Sequence, residues 1–121
     1  MKQVSFLLLF VSALLLASCD NNSTNPSNDY IHPKFVQPTE GQIITDSTYR
    51  LIVDADQNCG CTSYTEFYID DTLVYTDYIR EFDYLMNCAD WQGKRTIMAH
   101  SVVPGKAEGY DSVHVTIDLS K

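Results

Sequence analysis

The chain has 121 residues, with 8 Lys+Arg against 16 Asp+Glu and a formal net charge of −8. That length suits one domain, not two. So acidic a balance gives no electrostatic footprint for nucleic acid, whose binders need a basic face, and it is repelled by anionic lipid headgroups.

The first segment reads as an export signal. Lys2 precedes an apolar run, Val4–Leu16, and the small residues Ala17 and Ser18 follow. This is the order of n-region, h-region and cleavage site. The run is too short for the roughly 20 residues of a permanent membrane helix. Its ending, Leu16-Ala17-Ser18-Cys19, resembles the lipobox of bacterial lipoproteins. The resemblance implies removal of residues 1–18, a thioether-linked diacylglycerol on Cys19, and acylation of the new amine by a fatty acid such as palmitate. The expected partner is then a membrane, held through the N-terminal lipid. Each buried methylene contributes about 0.8 kcal/mol, so two or three acyl chains outweigh a few units of charge repulsion. The expected location is the cell envelope, on the inner or outer membrane, facing periplasm or exterior. Asp20 resembles the inner-membrane retention signal of enterobacterial lipoproteins. Other phyla sort by other rules, so the choice of membrane stays open.

Residues 19–33 are expected to form the lipidated cysteine and a flexible tether. Up to Asn28 the stretch after Cys19 has no apolar side chain beyond a proline, too little to offset ordering entropy.

From Lys34 the apolar period is two, not 3.6. Tyr49, Leu51, Val53 and Ala55 alternate with Arg50, Ile52 and Asp54. The same alternation runs through Phe67 and Ile69, through Phe82, Tyr84 and Met86, through Ile97 and Ala99, and through Val113 to Leu119. A further strand, Leu73–Asp77, follows Asp70-Asp71 as a tight hairpin. A seventh lies near Phe35–Val36 or Ile43–Ile44, where Pro38 marks an edge or switching strand. No window gives a convincing helical stripe. About seven short strands in residues 34–121 predict an all-β, Ig-like or fibronectin-III-like antiparallel sandwich. The expected core is Phe35, Leu51, Val53, Phe67, Ile69, Phe82, Tyr84, Ile97, Ala99, Val113, Val115 and Ile117.

The sequence Val36-Gln37-Pro38-Thr39-Glu40-Gly41, the hairpin Glu66–Val74, the triplet Phe82-Asp83-Tyr84 and the strand Arg95–Ala99 occur in the order seen in bacterial Ig-like repeats. The chain resembles these fibronectin-like modules over most of residues 34–118. They are strung along secreted polysaccharide-degrading enzymes and cell-surface proteins. The resemblance implies a spacer or adhesive unit with no catalytic residue. Asp71 departs from the usual turn glycine, and a loop at Val102–Tyr110 lacks the Asp…Gly-Asn common there.

Several side chains are candidates for chemistry. Cys59, Cys61 and Cys88 are an odd set for an oxidising compartment. Cys59 and Cys61 precede one strand while Cys88 ends another running the same way, which sets them at opposite ends and argues against a bridge between them. A Cys59–Cys61 bridge is strained, and the pairing stays open. Three thiolates without a histidine make a poor metal site. Asp54, Asp56, Asn58 and Glu66 loosely resemble a calcium loop, though its glycine and glutamate each come one residue late. Against calcium stands the plainer reading of a solvated loop rich in turn formers. No other cofactor is expected. Tyr68 and Tyr75 flank the hairpin; if they share a sheet face they can stack on sugar rings, as can Tyr64, Tyr78 and Trp91, whereas ordinary cross-strand packing explains them equally. Trp91 is expected to plug one end of the sandwich. His32 falls in the tether, and His100 and His114 point outward. No nucleophile motif or phosphate loop accompanies them. The reading is a non-catalytic, lipid-anchored envelope module for binding, adhesion or scaffolding, its protein or glycan ligand unspecified. The alternative is a carbohydrate-binding module for polysaccharide capture.

Overall fold

The period-two pattern folds as expected into two antiparallel-based sheets packed face to face. The computed structural model describes residues 28–121. The signal at 1–18, Cys19 and the tether as far as residue 27 lie outside the described residues. Eight strands follow one another: β1 (Ile31–Gln37), β2 (Ile43–Ile44), β3 (Thr48–Gln57), β4 (Tyr64–Ile69), β5 (Thr72–Asp77), β6 (Phe82–Asn87), β7 (Gly93–Val103) and β8 (Ala107–Ile117). One sheet has the order β1-β3-β6 and the other β2-β8-β7-β4-β5. The helical content among the described residues is a 3₁₀ turn at Cys88–Trp91. No helix there is long and apolar enough to cross a membrane.

Alternation puts one face of every long strand inside. Leu51, Val53 and Ala55 of β3 meet Phe67 and Ile69 of β4 and Ile97 and Ala99 of β7 in a single core. Phe35, Phe82, Val113, Val115 and Ile117 are also buried. Across the β4–β7 ladder Thr65 pairs with Ser101, and their buried hydroxyls share a hydrogen bond of 2.6 Å. That bond satisfies two polar groups the core would otherwise orphan.

The structure corrects the sequence reading in three places. Ordered strand begins at Ile31, three residues ahead of the expected domain start, and His32 therefore faces Asp56 within β1 instead of lying in a tether. The expected loop at Val102–Tyr110 is mostly the β7–β8 hairpin, turning over Pro104–Lys106. Tyr84 is only half-buried; it sits at the rim of the core, between Phe67 and Tyr75, with ring centroids 6.1 Å and 5.2 Å away. Pro38 does mark a switch. β1 and β2 flank it and belong to different sheets.

Two turns show how local chemistry sets the register. Asp70 and Asp71 both take positive φ, 49° and 69°, as a two-residue hairpin turn requires. Aspartate tolerates that region better than most side chains. The Asp70 carboxylate also accepts the Thr96 amide at 3.0 Å and Arg95 at 2.7 Å. The Thr96 amide first, and then the Arg95 guanidinium, hold its carboxyl below the usual carboxylate range. At the other end of β5, Asp77 is buried and accepts the amides of Ile79 and Asp83, each at 3.0 Å.

The end where Ile31 pairs with Gln57 is called upper here. It gathers the first described residues, the loop before β4, the β5–β6 loop and the β7–β8 turn. The lower end holds the Asp70–Asp71 turn and the 3₁₀ turn, where Trp91 packs against the core and lies 5.6 Å under Arg95.

β1 runs close beside β8 along the seam between sheets. A methyl group on Gly109 would strike the Ile31 carbonyl oxygen and come within 2.9 Å of Pro33 Cδ. Gly109→Ala is expected to destabilise the domain by about 1–3 kcal/mol, since backbone rather than a flexible side chain must move. Chemical denaturation checks this; an unchanged midpoint would show that β1 is free to shift.

Candidate functional site

The five-stranded sheet carries the most organised polar cluster on its outer face. Register places Glu66 of β4 opposite His100 of β7, and His100 opposite Tyr110 of β8. His100 Nδ1 lies 2.8 Å from Glu66 Oε1, and its Nε2 lies 2.8 Å from Glu108 Oε1. Its ring stacks on Tyr110 at 4.3 Å with an interplanar angle of 7°. The Tyr68 hydroxyl donates to Glu66 Oε1 at 3.0 Å. Partial burial, and then this carboxylate, push the Tyr68 phenol up. Both imidazole nitrogens are thus taken up by carboxylates. A ring so engaged has no free nitrogen with which to act as a general base.

Tyr68 and Tyr75 do not share a face. Tyr75 pairs with Phe67, whose ring is in the core, and the register shifts between Phe67 and Tyr68. Tyr75 instead overhangs the edge between sheets and stacks on Tyr84 at 5.2 Å. Tyr64 meets Tyr78 at 5.4 Å, near the upper end. Tyr110, 58% exposed, is the aromatic that sequence reasoning missed. The signal was present: carried back three residues, the alternation of β8 turns Tyr110 outward.

The four calcium candidates are not brought together. Asp54 and Asp56 are exposed on β3, opposite Lys34 and His32. Asn58 uses its side chain to hold the incoming chain: Oδ1 accepts the Tyr30 amide at 2.9 Å and Nδ2 donates to the Asn28 carbonyl at 3.1 Å. Glu66 belongs to the other sheet and is engaged with His100 and Tyr68. Reading these four as one loop ignored that the chain changes sheets between β3 and β4. No grouping of three or more His, Cys, Asp or Glu among the described residues is arranged to hold a metal.

Cys59 and Cys61 are joined in a disulfide at the upper end, with Cα atoms 5.1 Å apart. The Gln57 side chain donates to both their carbonyls, at 2.7 and 3.1 Å. Cys88 is free and buried at the far end. Burial, and then Asp46, push its thiol up.

An open cleft of about 410 Å³ lies beside Val36, Ile52, Arg80 and Glu81. It exists because β6 starts at Phe82, opposite Val53, and leaves the upper part of β3 without a strand on that side. Arg80 occupies part of the gap by donating to the Ala55 carbonyl at 2.9 Å.

With this geometry in view, the comparisons with known proteins narrow the fold. A solved structure of fibronectin(III)-like modules of Clostridium thermocellum CbhA matches with a TM-score of 0.62 at 17% identity, over 71% of this chain and 96% of that one. The fold is that of a fibronectin(III)-like sandwich. No family model matches the sequence, and no curated protein does. At this identity the likeness is one of architecture.

The cysteine arrangement has a direct chemical readout. An alkylating reagent should leave Cys59, Cys61 and Cys88 of the native protein unlabelled. Denaturation without reductant should expose Cys88 alone of the three, and reductant should then release Cys59 and Cys61. Peptide mapping by mass spectrometry distinguishes this from a bridge to Cys88.

Proposed function

We propose that this chain is a lipid-anchored module of the bacterial cell envelope, whose sandwich binds or scaffolds and carries out no catalysis. The observation that carries the reading is the pairing of a Leu-Ala-Ser-Cys export signal with a fibronectin(III)-like domain. The engaged state of the His100 cluster supports the non-catalytic part: both of its ring nitrogens face carboxylates. The acidic sequence supports a role away from nucleic acid. Cys19→Ala should abolish incorporation of radiolabelled palmitate and leave the protein uncleaved or released from the membrane. Equal labelling of the variant would end the lipoprotein reading.

One observation favours a second reading, capture of a polysaccharide. The outer face of the five-stranded sheet sets Tyr110 and Tyr68 beside Glu66, Glu108 and His100, a mixture of ring faces and hydrogen-bonding groups suited to sugars. Tyr75 does not contribute to it. We expect a glycan array to be silent, because the carboxylates already serve His100. Polysaccharide binding lost in Tyr110→Ala with the fold intact would favour capture instead.

A further inference from the structure

The two most exposed large hydrophobic residues among the described ones are neighbours in sequence: Ile79 is 74% exposed and Tyr78 68%. Single exposed apolar side chains are commonplace. Here two stand together at the tip of the β5–β6 loop, and the loop is fixed from beneath. Both oxygens of buried Asp77 hold its amides, at Ile79 and Asp83. Arg80 is bound to the Ala55 carbonyl, and Tyr78 leans on Tyr64. A tightly held loop that still presents a Tyr-Ile pair to solvent leaves that apolar surface uncovered by its own fold.

The place of the tip says what covers it. Ala55, which Arg80 contacts, pairs with Pro33 of β1, so the tip shares the upper end with the incoming chain. The stretch from Cys19 to Asn28 spans at most about 30 Å even when fully extended. A lipid on Cys19 therefore confines the upper end, where the chain enters the sandwich, to within about 30 Å of the bilayer surface, and leaves the lower end a domain length farther along the chain. Tyrosine favours the boundary where one end of the ring is apolar and the other wet. Arg80 and Lys106 lie among the carboxylates of this end, so its charge is mixed in sign.

We propose that the Tyr78–Ile79 tip is a membrane-contact element, seated in the headgroup layer of the phospholipid bilayer that holds the lipid anchor. The proposal rests on the Cys19 reading. It gives the module a fixed orientation, with the lower end pointing away from the membrane.

The test uses the full chain, produced in a bacterial host that processes lipoproteins and reconstituted into phosphatidylcholine vesicles. Native Trp91 marks the lower end, and Ile79→Trp combined with Trp91→Phe marks the tip. Brominated phosphatidylcholine should remove most of the tip emission and leave Trp91 of the wild type unquenched. If Trp91→Phe fails to fold, Ile79→Trp alone reports the same thing as a quenchable fraction above the wild type. A floated protein whose tip is no more quenched than Trp91 overturns this proposal and leaves the anchor reading intact. A protein that neither floats with vesicles nor incorporates palmitate overturns both.

Discussion

The contact that decides the shape of this sandwich is the one between β1 and β8. β1 hydrogen-bonds to β3, yet it also lies along β8 of the opposite sheet, close enough that position 109 has no room for a side chain. The Phe35 amide reaches across to the Asp111 carboxylate at 2.9 Å. One strand thus closes the seam between both sheets. Without it the smaller sheet would be two strands wide, and the core would lose the buried side chains of Ile31 and Phe35. The position of β1 also fixes which end of the domain receives the chain.

The inner face of the sandwich was legible because burial on one side leaves a period of two in the sequence. Eleven of the twelve residues expected in the core are buried, and Tyr84 is displaced to the rim because β6 is an edge strand. Ile31 was hidden for a different reason. Ile31, Pro33 and Phe35 do alternate inward, but Pro33 and the polar run before it read as linker. Pro33 is tolerated because β1 is an edge strand with a partner on one side. Val103 was missed with it, since Pro104 and Gly105 made the hairpin turn look like a longer loop.

The outer face was much less legible. Nothing in the local sequence around Glu66 names His100 as its partner; only the β4–β7 register brings them to 2.8 Å. Nor does the loose resemblance of Asp54, Asp56, Asn58 and Glu66 to a calcium loop show that β3 and β4 lie in different sheets, which parts Glu66 from the other three. The cysteines were easier. Strand direction alone set Cys88 at the opposite end from Cys59 and Cys61, and the structure places it there.

The long strands have a mechanical meaning. β1 begins at the upper end and β8 finishes at the lower end, and the two run in the same direction along the seam. Tension applied between the two ends of the domain would therefore run along the strands. Ladder bonds lie across that direction. Such a load strains a whole row of them at once, in shear, instead of peeling them singly. A module built this way resists stretching along its own axis far better than it resists prying at an edge.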